Sequence, residues 1–202
     1  MKITFDERVM AQAQSALRAA PKRVKFAASA AINRTVTKLR AQVSKQIVKN
    51  YFIHSRDVKA SITTKRANSN ALKGVVASTG SPLLLTHFKL NPNPKRLIAE
   101  NKMAAAGGPK RRRRRKPMTV RVKRSGSSAT VPGLFVQKSS RSGYAGPMLR
   151  YLRTRYPLRI PYGPSVPQMF GNPKVLEQLA PQAEAYLNKR FLHEVQVQLG
   201  RI

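Results

Sequence analysis

Apolar residues recur at helical spacing through the N-terminal part of the chain. Val9, Ala13, Ala16, Leu17 and Ala20 fall three and four apart behind Asp6 and Glu7. Negative charge favours a helix start, so this pattern predicts a first helix that ends at Pro21. Pro21 is suited to open a second helix, because the first helical N–H has no intrahelical partner to lose. In that second helix Val24, Ala28, Ala31, Ile32, Thr35, Leu39, Val43 and Ile47 form one stripe. Lys25, Arg34, Lys38, Lys45 and Lys49 lie largely off it. The pattern predicts a long amphipathic helix whose stripe faces a core.

Ser55 can cap a short helix through Ile62, after which the period changes. Residues 62–67 and 72–78 flank Asn68-Ser69-Asn70, a turn composition, and read as a hairpin. Residues 83–85 and 87–88 follow as a buried stretch or strand, and Asn91-Pro92-Asn93-Pro94 interrupts regular structure. Residues 101–117, rich in Ala and Gly and then in cations, read as an exposed loop or arm. Residues 118–123 alternate as a strand with one basic face. Gly126-Ser127-Ser128 turns the chain, and residues 134–137 are the expected antiparallel partner.

Pro157, Pro161, Pro164 and Pro167 predict that residues 152–170 are extended and poor in helix. Asn172 and Pro173 then supply a cap and a first helical residue. A final helix is expected to about Leu199, with Leu176, Leu179, Ala183, Leu187, Phe191 and Val195 on one face and a kink at Pro181. The expectation is one α+β domain over residues 1–202. It has N-terminal helices, one of them long and amphipathic, a central antiparallel sheet with a basic loop, and a C-terminal helix.

Charge changes this picture from a fold to a partner. The chain carries 40 Lys and Arg against 7 Asp and Glu, a formal charge of +33. Lys110, Arg111, Arg112, Arg113, Arg114, Arg115 and Lys116 are adjacent, and no core accommodates such a run. Between Val58 and Leu176 the only acidic residue is Glu100. The field therefore calls for a polyanion: a nucleic acid, whose counterions Lys and Arg displace, or the acidic face of a neighbouring protein. Anionic membrane ranks last, because the apolar stretches fall far short of the roughly 20 residues of a span.

Candidate chemistry is sparse. Without cysteine there is no disulfide, thiolate metal site or cysteine nucleophile. His54, His87 and His193 lack ligand spacing, and the carboxylates are too few for a metal cage. Gly107-Gly108-Pro109-Lys110 lacks the spacing and the following Ser or Thr of a phosphate loop. The sequence therefore reads as a non-enzyme with no cofactor or metal. The N-terminus lacks the basic segment and apolar core of a secretion signal.

The block at 110–116, with Arg121, Lys123 and Arg124 on the basic strand, supplies phosphate contacts but no interleaved aromatics, so binding without sequence reading is expected. Two other readings stand beside DNA contact. One makes the block a peg for an acidic protein ring, with Val166, Pro167, Met169 and Phe170 as apolar anchors. The other makes the chain a general nucleic-acid-binding or ribosomal-type basic protein.

Several segments in order resemble the minor tail protein Z family of tailed bacteriophages, the tail completion proteins. They are Ala30-Ala31-Ile32-Asn33-Arg34, the Arg-rich run at 111–116 just before a β-pattern, Pro132-Gly133-Leu134-Phe135-Val136-Gln137, and Arg155-Tyr156-Pro157-Leu158 followed by Pro161. Residues 163–170 and Phe191-Leu192-His193-Glu194 complete the likeness, and residues 81–106 match least. The resemblance implies a structural virion protein, assembled in the host cytoplasm, at the head-proximal end of the tail. It implies a homohexameric ring around the DNA channel, near the tail terminator and head-tail connector, that helps position the genome end. It implies no catalytic residues.

Overall fold

The computed structural model describes residues 2–3, 21–107, 117–138, 143–150, 152, 154 and 156–199. The helix expected before Pro21 and the whole block at 110–116 lie outside the described residues. The chain gathers into two compact units that interleave along the sequence. The first comprises Met1–Ile47, Ser55–Gly80 and Val166–Ile202, and the second Val48–His54 and Ser81–Ser165.

The first unit is organised by helix α1, Pro21–Asn50, whose last turn is counted with the second unit. Every member of the expected stripe, from Val24 to Ile47, is buried. Thr35, the one polar member, is satisfied inside the helix: its hydroxyl donates to the Ala31 carbonyl at 2.8 Å. Helix α2, Ser55–Ser61, leads into the hairpin of β2, Ile62–Lys65, and β3, Gly74–Ser78. The register pairs Ile62 with Ser78 and Lys65 with Val75, and the short strand β1, Lys2–Ile3, pairs antiparallel with the other edge of β3. Between β2 and β3 the Asn68 side chain accepts from the N–H groups of Asn70 and Ala71, which is the local bonding the Asn-Ser-Asn composition anticipates.

Gly74 lies against α1 so closely that a Cβ there would meet Ile32 Cγ2 and Val36 Cγ2, both at 2.6 Å. This is a close-approach glycine, with no role in a turn.

Helix α4, Val166–Phe170, and helix α5, Pro173–Leu199, complete the unit. The helix at α4 departs from the expected extended run over 152–170. Pro167 is its second residue, a position where the missing N–H has no intrahelical acceptor to lose. Asn172 caps α5 as anticipated, its side chain accepting from the Lys174 N–H at 3.1 Å. Leu179, Ala183, Leu187, Phe191 and Val195 are buried, Leu176 is half-buried, and Pro181 sits exposed inside the helix. Contacts along the rims show that α1 and α5 run antiparallel: Gln42 meets Gln182, Lys38 meets Tyr186, and Arg34 meets Glu194.

Among the described residues the second unit holds two small antiparallel sheets. One is built from β4 (Lys89–Asn91), β5 (Thr119–Arg121) and β6 (Ala129–Thr130), in that order. The other is β7 (Phe135–Lys138), β8 (Ala145–Arg150) and β9 (Leu158–Arg159). The basic strand β5 therefore does not pair with residues 134–137. Val120 stands opposite Leu90 on one side and Ala129 on the other, so both edges are filled by neighbours, and β7 pairs with β8 instead.

Two other segments are more regular than their composition suggested. A 3-10 turn, Leu85–His87, occupies the apolar stretch, with Leu85 and Phe88 buried. Helix α3, Pro94–Ala105, takes up the first residues of the supposed loop. Asn93 caps it by accepting from Lys95 N–H at 3.0 Å, and Pro94 is its first residue. The prolines that interrupt the chain also start this helix.

Gly163 donates its N–H to the Leu83 carbonyl at 2.7 Å, and a Cβ there would strike the ring of Phe88. Burial, with Tyr162 nearby, raises the Tyr144 phenol above its ordinary 10.0. The α+β class of the chain is thus realised as five described α-helices and three small antiparallel sheets.

Candidate nucleic-acid interface

Strand β5 and the turn after it place cations around one aromatic ring of the second unit. Phe52 is half-buried, and its backbone N–H donates to the Val122 carbonyl at 2.8 Å, which fixes it beside the basic strand. Arg124 lies 4.6 Å from the ring centroid, Arg121 5.3 Å and Lys89 5.4 Å. Each distance is within reach of a cation–π attraction, so one ring offsets part of the repulsion among three positive charges.

Arg121 and Arg124 also have structural partners. Arg121 donates from Nε to the Gly126 carbonyl at 3.0 Å and from Nη2 to the Arg124 carbonyl at 2.7 Å, which braces the turn. Arg124 donates from Nε to the Val48 carbonyl at 2.9 Å, and its backbone N–H meets the Asn50 carbonyl at 2.8 Å. These carbonyls belong to the last turn of α1, where the helix leaves acceptors unpaired and favours positive charge. Lys123 is exposed and forms a backbone bridge with the buried Tyr51.

Of the three expected cations of the strand, Arg121 and Arg124 are therefore brought together at Phe52, and Lys123 stands exposed between them in sequence. Two further members, Lys89 and Phe52, escaped the reading of the sequence, since only tertiary pairing carries them to β5. The aromatic pair Tyr51-Phe52 directly after a long basic helix is the one local signal that could have suggested them. Glu100 is the one acidic residue in the second unit's sequence. It pairs with Arg96 on α3 at 3.0 Å, so its charge is already matched within one helix.

The apolar residues expected at a protein interface occupy a different setting. Val166, Met169 and Phe170 are buried, at 2%, 1% and 8% exposure, within the core of the first unit, where α4 packs against α2, β3 and α5. Pro167 alone of the four is half-exposed.

Residues 10–202 match the sequence family described as prophage minor tail protein Z (GPZ). The chain belongs to this family. No curated protein and no solved structure matches it. Membership of the minor tail protein Z family makes the chain a structural protein of the phage tail. No helix among the described residues is long and apolar enough to cross a membrane, and no three His, Asp or Glu among them gather where they could hold a metal ion.

Two motifs of the Z-family likeness, far apart in sequence, meet in the first unit. Asn33, within Ala30-Ala31-Ile32-Asn33-Arg34, donates to the Ala67 carbonyl at 2.9 Å and accepts from the Ala67 N–H at 2.8 Å. One amide thus clamps both backbone groups of the residue beyond β2. The next residue, Arg34, reaches Glu194 Oε1 at 3.2 Å, and Arg190 reaches the same oxygen at 3.1 Å. Glu194 is a buried carboxylate, and two guanidinium groups match it there. Ala31, Ile32 and Phe191, from the same two motifs, are fully buried. These motifs therefore build the seam of α1 and α5.

Proposed function

We propose that this tail protein completes the head-proximal end of the tail, near the terminator and the head-tail connector. On this reading it forms a ring around the channel and holds the end of the genome there by phosphate contacts. Lys110 to Lys116, with Arg121, Lys123 and Arg124, carry those contacts, and Lys89 joins them.

The observation that supports this reading is the convergence of Lys89, Arg121 and Arg124 on Phe52, in a unit with a single carboxylate. Such a cluster is electrostatically incomplete by itself. DNA supplies a dense row of negative charge and releases counterions on binding, which favours contact without base reading. A ring would multiply the effect by presenting one cluster per subunit to the same duplex.

Replacement of Lys110 to Lys116 by glutamine tests the proposal in assembled phage. The expected particles have joined heads and tails, but the DNA end is displaced and injection is poor. Normal infectivity would contradict the proposal. Heads left unjoined to tails would also contradict it, because the block would then act in assembly.

A further inference from the structure

A second basic feature, independent of the DNA reading, lies in the first unit. A groove of about 470 Å³ is lined by Asn33, Arg34, Thr37 and Lys38 of α1, Arg66 beyond β2, and Tyr186 of α5. The volume is within the range of about 300–1,000 Å³ that accepts a small ligand. We propose that this groove docks an acidic peptide segment of a neighbouring protein.

The positions of the cations are set by the fold. The Asn33 amide holds both backbone groups of Ala67 and thereby places Arg66 at the groove. Lys38 rests on the ring of Tyr186, with Nζ 3.6 Å from its centroid. Arg34 is already turned toward a carboxylate, that of Glu194 at 3.2 Å. The pairing shows the chemistry this wall is arranged to make.

The groups that would stack on or read a base are engaged, so a nucleic acid could meet this groove through its phosphates alone, and the duplex probe below tests that occupant. Lys38 covers one face of Tyr186, which removes that face as a stacking platform for a base. The Asn33 amide uses its oxygen and one N–H together on Ala67, so its bidentate edge is not open to a base. The Thr37 hydroxyl donates to the Asn33 carbonyl at 3.0 Å. What the groove offers a ligand is Arg66 and Lys38, with Arg34 beside them, in an open, shallow depression. Spaced carboxylates on an extended chain match that offer. The charges would set approach and orientation, and backbone contacts along the groove would follow.

The test uses the full chain with two probes at one salt concentration: a fluorescein-labelled oligoglutamate peptide and a labelled short duplex DNA. Arg66→Gln is expected to weaken peptide binding about tenfold, the scale of one lost charge-assisted contact, and to leave duplex binding within about twofold. Arg66→Lys should restore most of the peptide affinity. Arg124→Gln, an equal change in charge, should weaken duplex binding and spare the peptide.

Equal loss of peptide binding in Arg66→Gln and Arg124→Gln would overturn the proposal, since the peptide would then respond only to total charge. Loss of duplex binding in Arg66→Gln as large as the loss of peptide binding would overturn it too, and assign the groove to nucleic acid. Unchanged duplex binding in Arg124→Gln, with the peptide effect intact, would count against the DNA reading alone. Arg66 is exposed, so circular dichroism of each variant should match that of the parent.

Discussion

Replacing Gly74 with valine is expected to cost the chain a large part of its stability. A Cβ at this position would stand 2.6 Å from both Ile32 Cγ2 and Val36 Cγ2, contacts that cannot persist. Neither neighbour can yield easily, since both are buried β-branched residues held on one face of a 30-residue helix. Overpacking a core by a methyl group or two costs about 1–3 kcal/mol, which is the loss expected for Gly74→Ala. Valine adds two further methyl groups against the same wall and should exceed it. Against a total stability of about 5–15 kcal/mol, that is a large fraction. Urea unfolding followed by circular dichroism measures the loss. Val36→Ala in the Gly74→Ala background should cost less than the sum of the two single changes, because it clears one of the two clashes. Wild-type stability in Gly74→Val would show that β3 does not lie so close to α1.

Neutralising cations in and beside the basic strand is expected to have the second large effect, on binding. The triple replacement Lys89→Gln, Lys123→Gln and Arg124→Gln removes three cations from the basic strand and its neighbour. If each meets one phosphate, the slope of log affinity against log salt should flatten by about 0.9 per contact, or about 3 in all. Titrations of duplex DNA at several salt concentrations measure the slope. An unchanged slope would remove these residues from the interface. Arg124→Gln also withdraws a donor and a positive charge from the end of α1, at a cost of about 0.3–1 kcal/mol. Thermal unfolding of the triple variant should therefore show a small loss, distinct from the binding effect.

The elements legible in the sequence were those whose burial follows a local period. The stripe from Val24 to Ile47 and the face from Leu179 to Val195 both repeat at helical spacing, and both line the core. The turn at Asn68 was legible because its side chain bonds its own backbone. Strand pairing was less so. Residues 134–137 had the pattern of a partner for β5, yet nothing in alternation specifies which strand pairs with which, and Ala129 and Leu90 took the positions beside Val120.

Proline misled in two places. Pro94 and Pro167 read as breaks, but at the first and second positions of α3 and α4 they are compatible with a helix. The candidate site divided in the same way. Arg121 and Lys123 were visible from alternation along one strand. Lys89 and Phe52 reach them only through tertiary pairing. The roles of Asn33 and Arg34 depended on partners at Ala67 and Glu194, which no local rule supplies.

We propose above all that the basic strand and loop of this tail protein face DNA. A cryo-electron microscopy reconstruction of the head-tail joint in intact phage tests it most directly. The expected density is a ring in which Arg121, Lys123 and Arg124, with the preceding block from Lys110, line the channel against the genome end. A reconstruction in which residues 110–124 lie against a neighbouring protein or on the outer surface would contradict it.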